Sequence, residues 1–330
     1  MIYRAIDLFA GIGGIRKGFE IAFENNMDVP FASEIDPSAR RTYCDNFTTP
    51  RPIAGDINDV ILDKVPEFDI CLAGFPCQAF SIAGKMLGFQ DATRGTLFFK
   101  VAEICRIHRP SVIFCENVKG LTFHDSGRTY ETILGTLDEI GYATYATVLN
   151  SKYYGVPQNR ERMYIVAFDK KKVPNHYDFQ FPNKHTVDTK LEDIISKEPV
   201  SVKYYLSDTY LETLRRHKER HKAAGHGFGY CIKGPDDLAS TLVCGGMGRE
   251  RNLIVDDRLT DFTPVTHIKG KVNSEYVRRL TPREFARLQG FPDSFKLEEN
   301  DSQLYRQLGN TVSVPVVAAI ASQIKLVLEN

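Results

Sequence analysis

Cys77 stands in Gly74-Phe75-Pro76-Cys77-Gln78, at the end of the apolar run Ile70-Cys71-Leu72-Ala73. An apolar run closed by Gly and Pro predicts a buried strand of a parallel sheet whose C-terminal end opens into a loop. Ligands of open α/β sheets lie outside the carboxyl ends of the strands, so this thiol is presented where chemistry takes place. A thiolate is a competent nucleophile, although an arbitrary free cysteine is more often a small core residue. The neighbours decide between the two. Ser111 to Cys115 predicts the next strand, which runs into Glu116-Asn117-Val118 and places Glu116 beside Cys77 at the same sheet edge. The segment Gln158-Asn159-Arg160-Glu161-Arg162 carries two arginines, and residues two apart on an extended segment point the same way. A surface ion pair with Glu161 is the alternative for them.

The elements that must position this set begin at the N-terminus. Tyr3 to Phe9 predicts a strand, Ala10-Gly11-Ile12-Gly13-Gly14 a turn, and Ile15 to Phe23 a helix. Strand, glycine turn and helix open a nucleotide-binding α/β unit, where backbone N–H groups and a helix N-terminus face the ligand. A dinucleotide site wants glycine at the sixth position of its pattern; Arg16 stands there and argues against NAD. A second strand, Pro30 to Ser33, ends at Glu34, roughly 20 residues after the glycines, where a carboxylate binds ribose hydroxyls. A third, Pro52 to Ala54, ends at Gly55-Asp56-Ile57. Ligand-type residues at three successive strand ends predict a nucleoside pocket.

Helices are predicted from about Gly95 to Arg106 and Tyr130 to Ile140, and strands over Tyr142–Leu149 and Met163–Phe168. After Asp169 a Lys-, Pro- and Asn-rich connector leads to a helix over Asp208–Lys222 and then to glycine-rich Gly225–Tyr230 and Ala239–Arg251. Thr281, Pro282 and Glu284 form a capping box at the start of a further helix. An apolar helix follows from Pro315 to about Leu328.

The 330 residues suffice for a large domain and a smaller one, and 42% apolar with 25% charged residues is ordinary globular composition. No apolar stretch is long enough to cross a bilayer and the N-terminus does not begin a signal peptide, so a cytoplasmic protein without a membrane partner is expected. The seven cysteines are scattered without a C-x-x-C pair, which predicts neither a disulfide frame nor a metal site. Net charge is zero, yet Lys203–Lys222 and Lys269–Arg287 concentrate basic residues; charge alone reads them as two solvated helix faces, and a phosphate-binding stripe is the alternative.

Taken together, Asp7–Gly14, Gly74–Gln78, Arg94–Phe98, Glu116–Val118, Gln158–Arg162 and Gly309-Asn310-Thr311-Val312 resemble, in order, the motifs of C5-cytosine-specific DNA methyltransferases of bacterial type II restriction–modification systems. The resemblance covers nearly the whole chain outside a variable middle. It implies an α/β, Rossmann-like mixed sheet flanked by helices, typical of S-adenosylmethionine-dependent methyltransferases, with a smaller inserted target-recognition domain. The implied division is 1–184 catalytic, 185–277 target recognition, 278–304 hinge and 305–330 returning to the catalytic domain. Cys77 would add to C6 of a flipped-out cytosine, with Glu116, Arg160, Arg162 and Gln78 completing the catalytic set. S-adenosylmethionine would be held by Phe9, Gly11, Gly13, Glu34, Asp56, Ile57, Pro76, Leu97, Asn310 and Val312. Double-stranded DNA would be contacted by Arg215, Arg216, Thr241, Leu242, Arg249, Arg251 and Arg279. Gly227-Phe228-Gly229-Tyr230 resembles recognition segments for sites beginning with two cytosines. A monomer is expected, with a cognate restriction endonuclease as functional partner. A tRNA-cytosine relative and a catalytically silent DNA-binding regulator are the rival readings.

Overall fold

The computed structural model describes residues 2–24, 26–49, 52–76, 97–185, 188–227, 229–244, 249–260 and 270–330. In chain order the first half comprises β1 (Tyr3–Leu8), α1 (Gly14–Phe23), β2 (Met27–Ser33), α2 (Pro37–Asn46), β3 (Ile70–Ala73), α3 (Leu97–His108), β4 (Val112–Val118), α4 (Arg128–Glu139) and β5 (Tyr142–Asn150). Then come β6 (Gln158–Asn159), β7 (Glu161–Asp169), α5 (Asp208–Ala223), β8 (Ala239–Ser240), β9 (Leu253–Val255), β10 (Val277–Arg279), α6 (Pro282–Leu288), α7 (Asp301–Asn310) and α8 (Val314–Glu329).

The chain divides into two compact units. The first comprises Met1–Asn150, Glu161–His185 and Thr311–Asn330; the second comprises Ser151–Arg160 and Thr186–Asn310. The first holds a mixed sheet of order β2-β1-β3-β4-β7-β5, parallel through β4 and antiparallel at β4/β7 and β7/β5. This is the helix-flanked architecture that the resemblance implies. Strand period sorts its core into two layers: Ile113 and Cys115 join α3 and α4 residues such as Phe98, Val101, Ile133 and Leu137. Phe114 faces the opposite way and meets Phe19 of α1 edge-on at 5.2 Å. The apolar α8 packs on α1, where Gly18 lies so close to Val317 that a Cβ would sit 2.6 Å away. Its hydropathy is thus that of a core helix.

In the second unit, β9 and β10 pair antiparallel, and α5 packs Leu211 and Leu214 against Leu253 and Val277. The stretch expected as a hinge, 278–304, lies inside this unit, because Leu280, Phe285 and Leu288 are core residues and Arg278 is buried between Asp256 and Glu284. The return to the first unit begins at Thr311 rather than at 305.

Three local expectations are corrected. Pro52–Ala54 is not a strand but a single bridge, Ala54 to Ser33. The helices α2 and α7 were not anticipated, since both are largely polar; α2 is announced by Asp36, whose carboxylate caps Ser38 and Ala39, and by Pro37 at its first position. The extended segment expected through Arg160 and Arg162 is broken, because Arg160 N–H donates to the Gln158 carbonyl two residues back, a γ-turn-type bond that ends β6 before β7 begins.

Candidate active site

The sheet order reverses between β1 and β3, and ligands of such sheets sit at that switch point beyond the strand ends. The turn after β1 is built for close approach. Phe9, Gly11 and Gly13 are all left-handed, with φ of 56°, 54° and 83°. A Cβ on Gly13 would lie 2.2 Å from the Phe47 ring, so no other residue fits there. The Glu34 carboxylate ties the neighbouring ends together: one oxygen accepts from Gly11 N–H and the other from Asp36 N–H, each at 2.8 Å. Its own N–H donates to the Ala54 carbonyl at 3.0 Å, two residues before Asp56. Asp56 in turn accepts from the Asn58 backbone and side chain at 2.9 Å. The glycine turn, Glu34 and Asp56 are thereby brought together. Ile35 beside them is 66% exposed, leaving an apolar face that sequence reasoning missed.

Arg16, the residue that spoils the dinucleotide pattern, braces α1 against α2. It donates to Glu20, to the Tyr43 hydroxyl and to the Thr48 carbonyl, and lies 4.5 Å from the centre of the Phe47 ring. Next to this brace is a second residue that sequence reasoning passed over. Asp7 is 1% exposed, and neither carboxylate oxygen has a hydrogen-bond partner among the described residues. Burial pushes its carboxyl up to about 7, against the lowering influence of Arg16 and of the Tyr43 hydroxyl. The hydroxyls of Ser33, at the end of β2, and Ser313, just before α8, are likewise buried and unbonded among the described residues. Orphaned polar atoms beside a glycine turn fit a polar ligand bearing a cationic group, as S-adenosylmethionine does. Ile57 and Val312 are buried, Leu97 is half-buried and Pro76 is exposed. Asn310 is exposed and falls in the second unit.

The position of the Glu116 carboxylate is set by strand register. Glu116 lies opposite Tyr164 across β4/β7, so Arg162, two residues from Tyr164, shares its sheet face. Arg162 Nε is 3.3 Å from Glu116 Oε1, and both side chains are largely shielded. Asn117 is buried; its amide donates to the Phe75 carbonyl at 2.8 Å and its oxygen accepts from Val118 N–H. Cys77 and Gln78 lie outside the described residues, as do Arg94, Gly95, Thr96 and Phe228.

Arg160 is corrected from the catalytic set. It is buried in the second unit, donating to the Leu242 carbonyl at 2.8 Å and the Gly309 carbonyl at 3.3 Å, while Arg162 engages Glu116 in the first. Among the expected DNA contacts one side chain is corrected and the others are placed. Leu242 is a core side chain. Arg215 is paired with Glu275 and Arg279 with Glu250, and Arg249 lies over the Tyr305 ring. Thr241 is half-buried and donates to the Asn159 carbonyl at 2.6 Å. Arg216 and Arg251 remain exposed.

The sequence as a whole has known relatives. The profile of the C-5 cytosine-specific DNA methylases matches residues 3–326, and the chain belongs to that family. It is 52% identical over 329 residues to the type II methyltransferase M.HpaII of Haemophilus parainfluenzae, covering 97% of this chain and 88% of the relative. To the type II methyltransferase M.NlaX of Neisseria lactamica it is 42% identical over 327 residues, covering 99% and 97%. The S. pombe Dnmt2 methyltransferase structure has the same fold, with a TM-score of 0.72 at 19% identity over 100% of this chain and 99% of that one. The chain is a DNA cytosine-5-methyltransferase of the type II restriction–modification kind.

Proposed function

We propose that this methyltransferase moves the methyl group of S-adenosylmethionine to C5 of a cytosine flipped out of a short, specific site in double-stranded DNA, with Cys77 as nucleophile. The observation carrying this reading is the shielded Glu116–Arg162 pair, 3.3 Å apart at the end of β4, next to the strand that leads into Pro76-Cys77. Cytosine C5 is too weak a nucleophile unaided. Addition of the Cys77 thiolate to C6 pushes electrons toward C5, while Glu116 hydrogen-bonds N3 and Arg162 holds the O2 edge, stabilising charge that develops on the ring. When bound, S-adenosylmethionine supplies an electrophilic sulfonium methyl. As the C5–CH3 bond forms, the S–CH3 bond breaks. Loss of the C5 proton to a base and cleavage of the Cys77–C6 bond then restore the ring and the thiolate.

Phe9, Gly11, Gly13, Glu34, Asp56, Ile57, Pro76, Leu97, Asn310 and Val312 would hold the cofactor; the Glu34 oxygens, each with a lone pair beyond its bond to backbone, suit ribose hydroxyls. Flipping the base costs a few kcal/mol of unstacking. The first unit is the catalytic domain and the second the target-recognition domain. The protein acts as a cytoplasmic monomer that shields its site from a cognate endonuclease.

The test is a duplex carrying 5-fluorocytosine at the target, which cannot lose a proton from C5. The native chain should form a stable adduct with it in the presence of S-adenosylmethionine, and Cys77→Ser should not. An equally stable adduct with the serine variant would sink the assignment. Mapping methylated cytosines in DNA from cells expressing the chain identifies the site.

A further inference from the structure

Before β7 the chain leaves the first unit for ten residues, Ser151–Arg160, and these belong to the second. Two of them, Gln158 and Arg160, are buried at the centre of a hydrogen-bonded junction. Gln158 Oε1 accepts from Leu242 N–H at 3.0 Å, and its Nε2 donates to the Leu288 carbonyl at 2.8 Å. Arg160 donates to the Leu242 carbonyl and to that of Gly309. Both backbone polar groups of Leu242 are therefore occupied by residues of one short excursion. Gln289, also buried, donates to the Leu308 carbonyl at 2.7 Å and completes the frame.

The segment gripped in this way is 239–244. β6 and β8 pair in register, Gln158 with Ala239 and Asn159 with Ser240. Asn252 exchanges two hydrogen bonds with the Ser240 backbone, at 2.7 and 3.1 Å. From behind, Gly309 approaches so closely that a Cβ would lie 2.6 Å from the Cys244 nitrogen and the Val243 carbonyl carbon. Beyond Leu242 the segment emerges, with Val243 and Cys244 exposed.

A buried guanidinium spanning two carbonyls with its planar fork fixes distance and angle together, which a lysine ammonium does not. Such over-determination is more than burial of one leucine requires. Readout of bases demands that the reading segment keep a fixed register while phosphate contacts position the protein. We infer that Arg160 and Gln158 are positioning residues for target discrimination, holding the 241–244 backbone so that its exposed end meets DNA in one register, and that Gly309 is the backstop of the same segment. The inference rests on the DNA methyltransferase reading above.

The experiment compares the native chain, Arg160→Lys and Gly309→Ala, each expressed whole, by mapping methylated cytosines genome-wide, with S-adenosylmethionine binding measured in parallel. Arg160→Lys keeps the charge but loses the fork, and Gly309→Ala displaces the segment while keeping the guanidinium itself. Both should raise the share of methylation outside the native consensus by about tenfold, the scale of one lost base-pair preference, with S-adenosylmethionine affinity within about twofold of native. Methylation that falls equally at all sites, with the consensus intact, would overturn the inference in favour of a role in the chemistry. Loss of cofactor binding by both variants would overturn it too, making the junction a general core element. No methylation by the native chain anywhere would remove the functional reading beneath it.

Discussion

The buried Asn117 amide donates to the Phe75 carbonyl and thereby fixes the end of β3 to the end of β4, one residue beyond Glu116 and two before Cys77. Strand pairing stops at Ala73–Cys115, so this side chain extends the alignment past the last ladder bond. Asn117→Ala leaves a buried carbonyl unbonded at a cost of about 1–3 kcal/mol. Asn117→Asp replaces the donor with an acceptor facing that carbonyl. Adduct formation with 5-fluorocytosine DNA should slow in both and more in Asn117→Asp, while S-adenosylmethionine binding stays within a few-fold of native. Equal rates for all three proteins would show the bond to be incidental.

Arg162 and Glu116 make a second prediction. Removing an oriented charged donor from a developing charge costs about 100- to 1,000-fold in kcat. Arg162→Ala and Glu116→Gln should each lose activity on that scale without loss of cofactor binding. The double variant should lose far less than the product of the two, since the groups act as a pair. Strict multiplicativity, read from single-turnover rates, would mean that they act separately.

Asp7 gives a pH dependence. Its folded carboxyl titrates at about 7 against an ordinary value of 3.8. The native state holds this proton longer than the unfolded chain does, so its contribution to stability is complete below about 4 and is lost as pH rises to about 7. The loss is about 4 kcal/mol. Asp7→Asn should abolish that slope in unfolding experiments between pH 4 and 8 and be the more stable protein at pH 8. S-adenosylmethionine affinity should rise with pH through about 7 in the native protein, as the carboxylate becomes available to a cationic group, and should be flat in Asp7→Asn. The same rise in Asp7→Asn would assign it to another residue.

Arg278 is buried between Asp256 and Glu284, bonded to each at 2.8 Å. Burial alone would raise Asp256, but hydrogen bonds from Arg258 and Arg278 prevail and hold it down to about 2. Arg278→Met takes the cation away from buried Glu284 and leaves Asp256 to Arg258 alone, and should destabilise the second unit by about 3–5 kcal/mol. Urea unfolding reads the loss.

The basic residues separate by their partners. Arg251 is exposed, whereas Arg279 is paired with Glu250 and stacked near Tyr210. If phosphate contacts drive binding, Arg251→Ala should reduce the log–log salt slope of DNA affinity by about one. Arg279→Ala should leave that slope unchanged while lowering thermal stability. The reverse pattern would move the phosphate contact to Arg279.

Much of the first unit could be read from the sequence because its signals are local. The runs Ile70–Ala73 and Val112–Cys115 are buried on both faces, and the capping box at Thr281 formed as expected, with Thr281 and Glu284 each bonding the other's backbone. The helix α2 was not legible, since its residues are mostly polar and its Asp36-Pro37 start is a short signal. The shared direction expected for Arg160 and Arg162 failed because the period-two rule holds only along an unbroken strand, and one backbone bond between Arg160 and Gln158 breaks it. The neutralised arginines at 215 and 279 depended on partners 60 and 29 residues away, which no local pattern shows. Asp7 was visible as a motif residue, but its isolation is a property of the packed sheet.

The bonds that Gln158 and Arg160 make to Leu242, Leu288 and Gly309 all go to main-chain groups. A frame that reads peptide groups is indifferent to the side chains it carries. If the segment reads DNA as inferred above, substitutions at the exposed Val243 and Cys244 leave the mount in place, and a lineage would change the sequence it marks while inheriting the machinery that marks it. The same wiring sets the limit of that freedom. Because ten residues of the second unit come from a separate stretch of the gene, recombination that exchanges 186–310 alone yields a working protein only where the incoming backbone meets Gln158 and Arg160 at the same places.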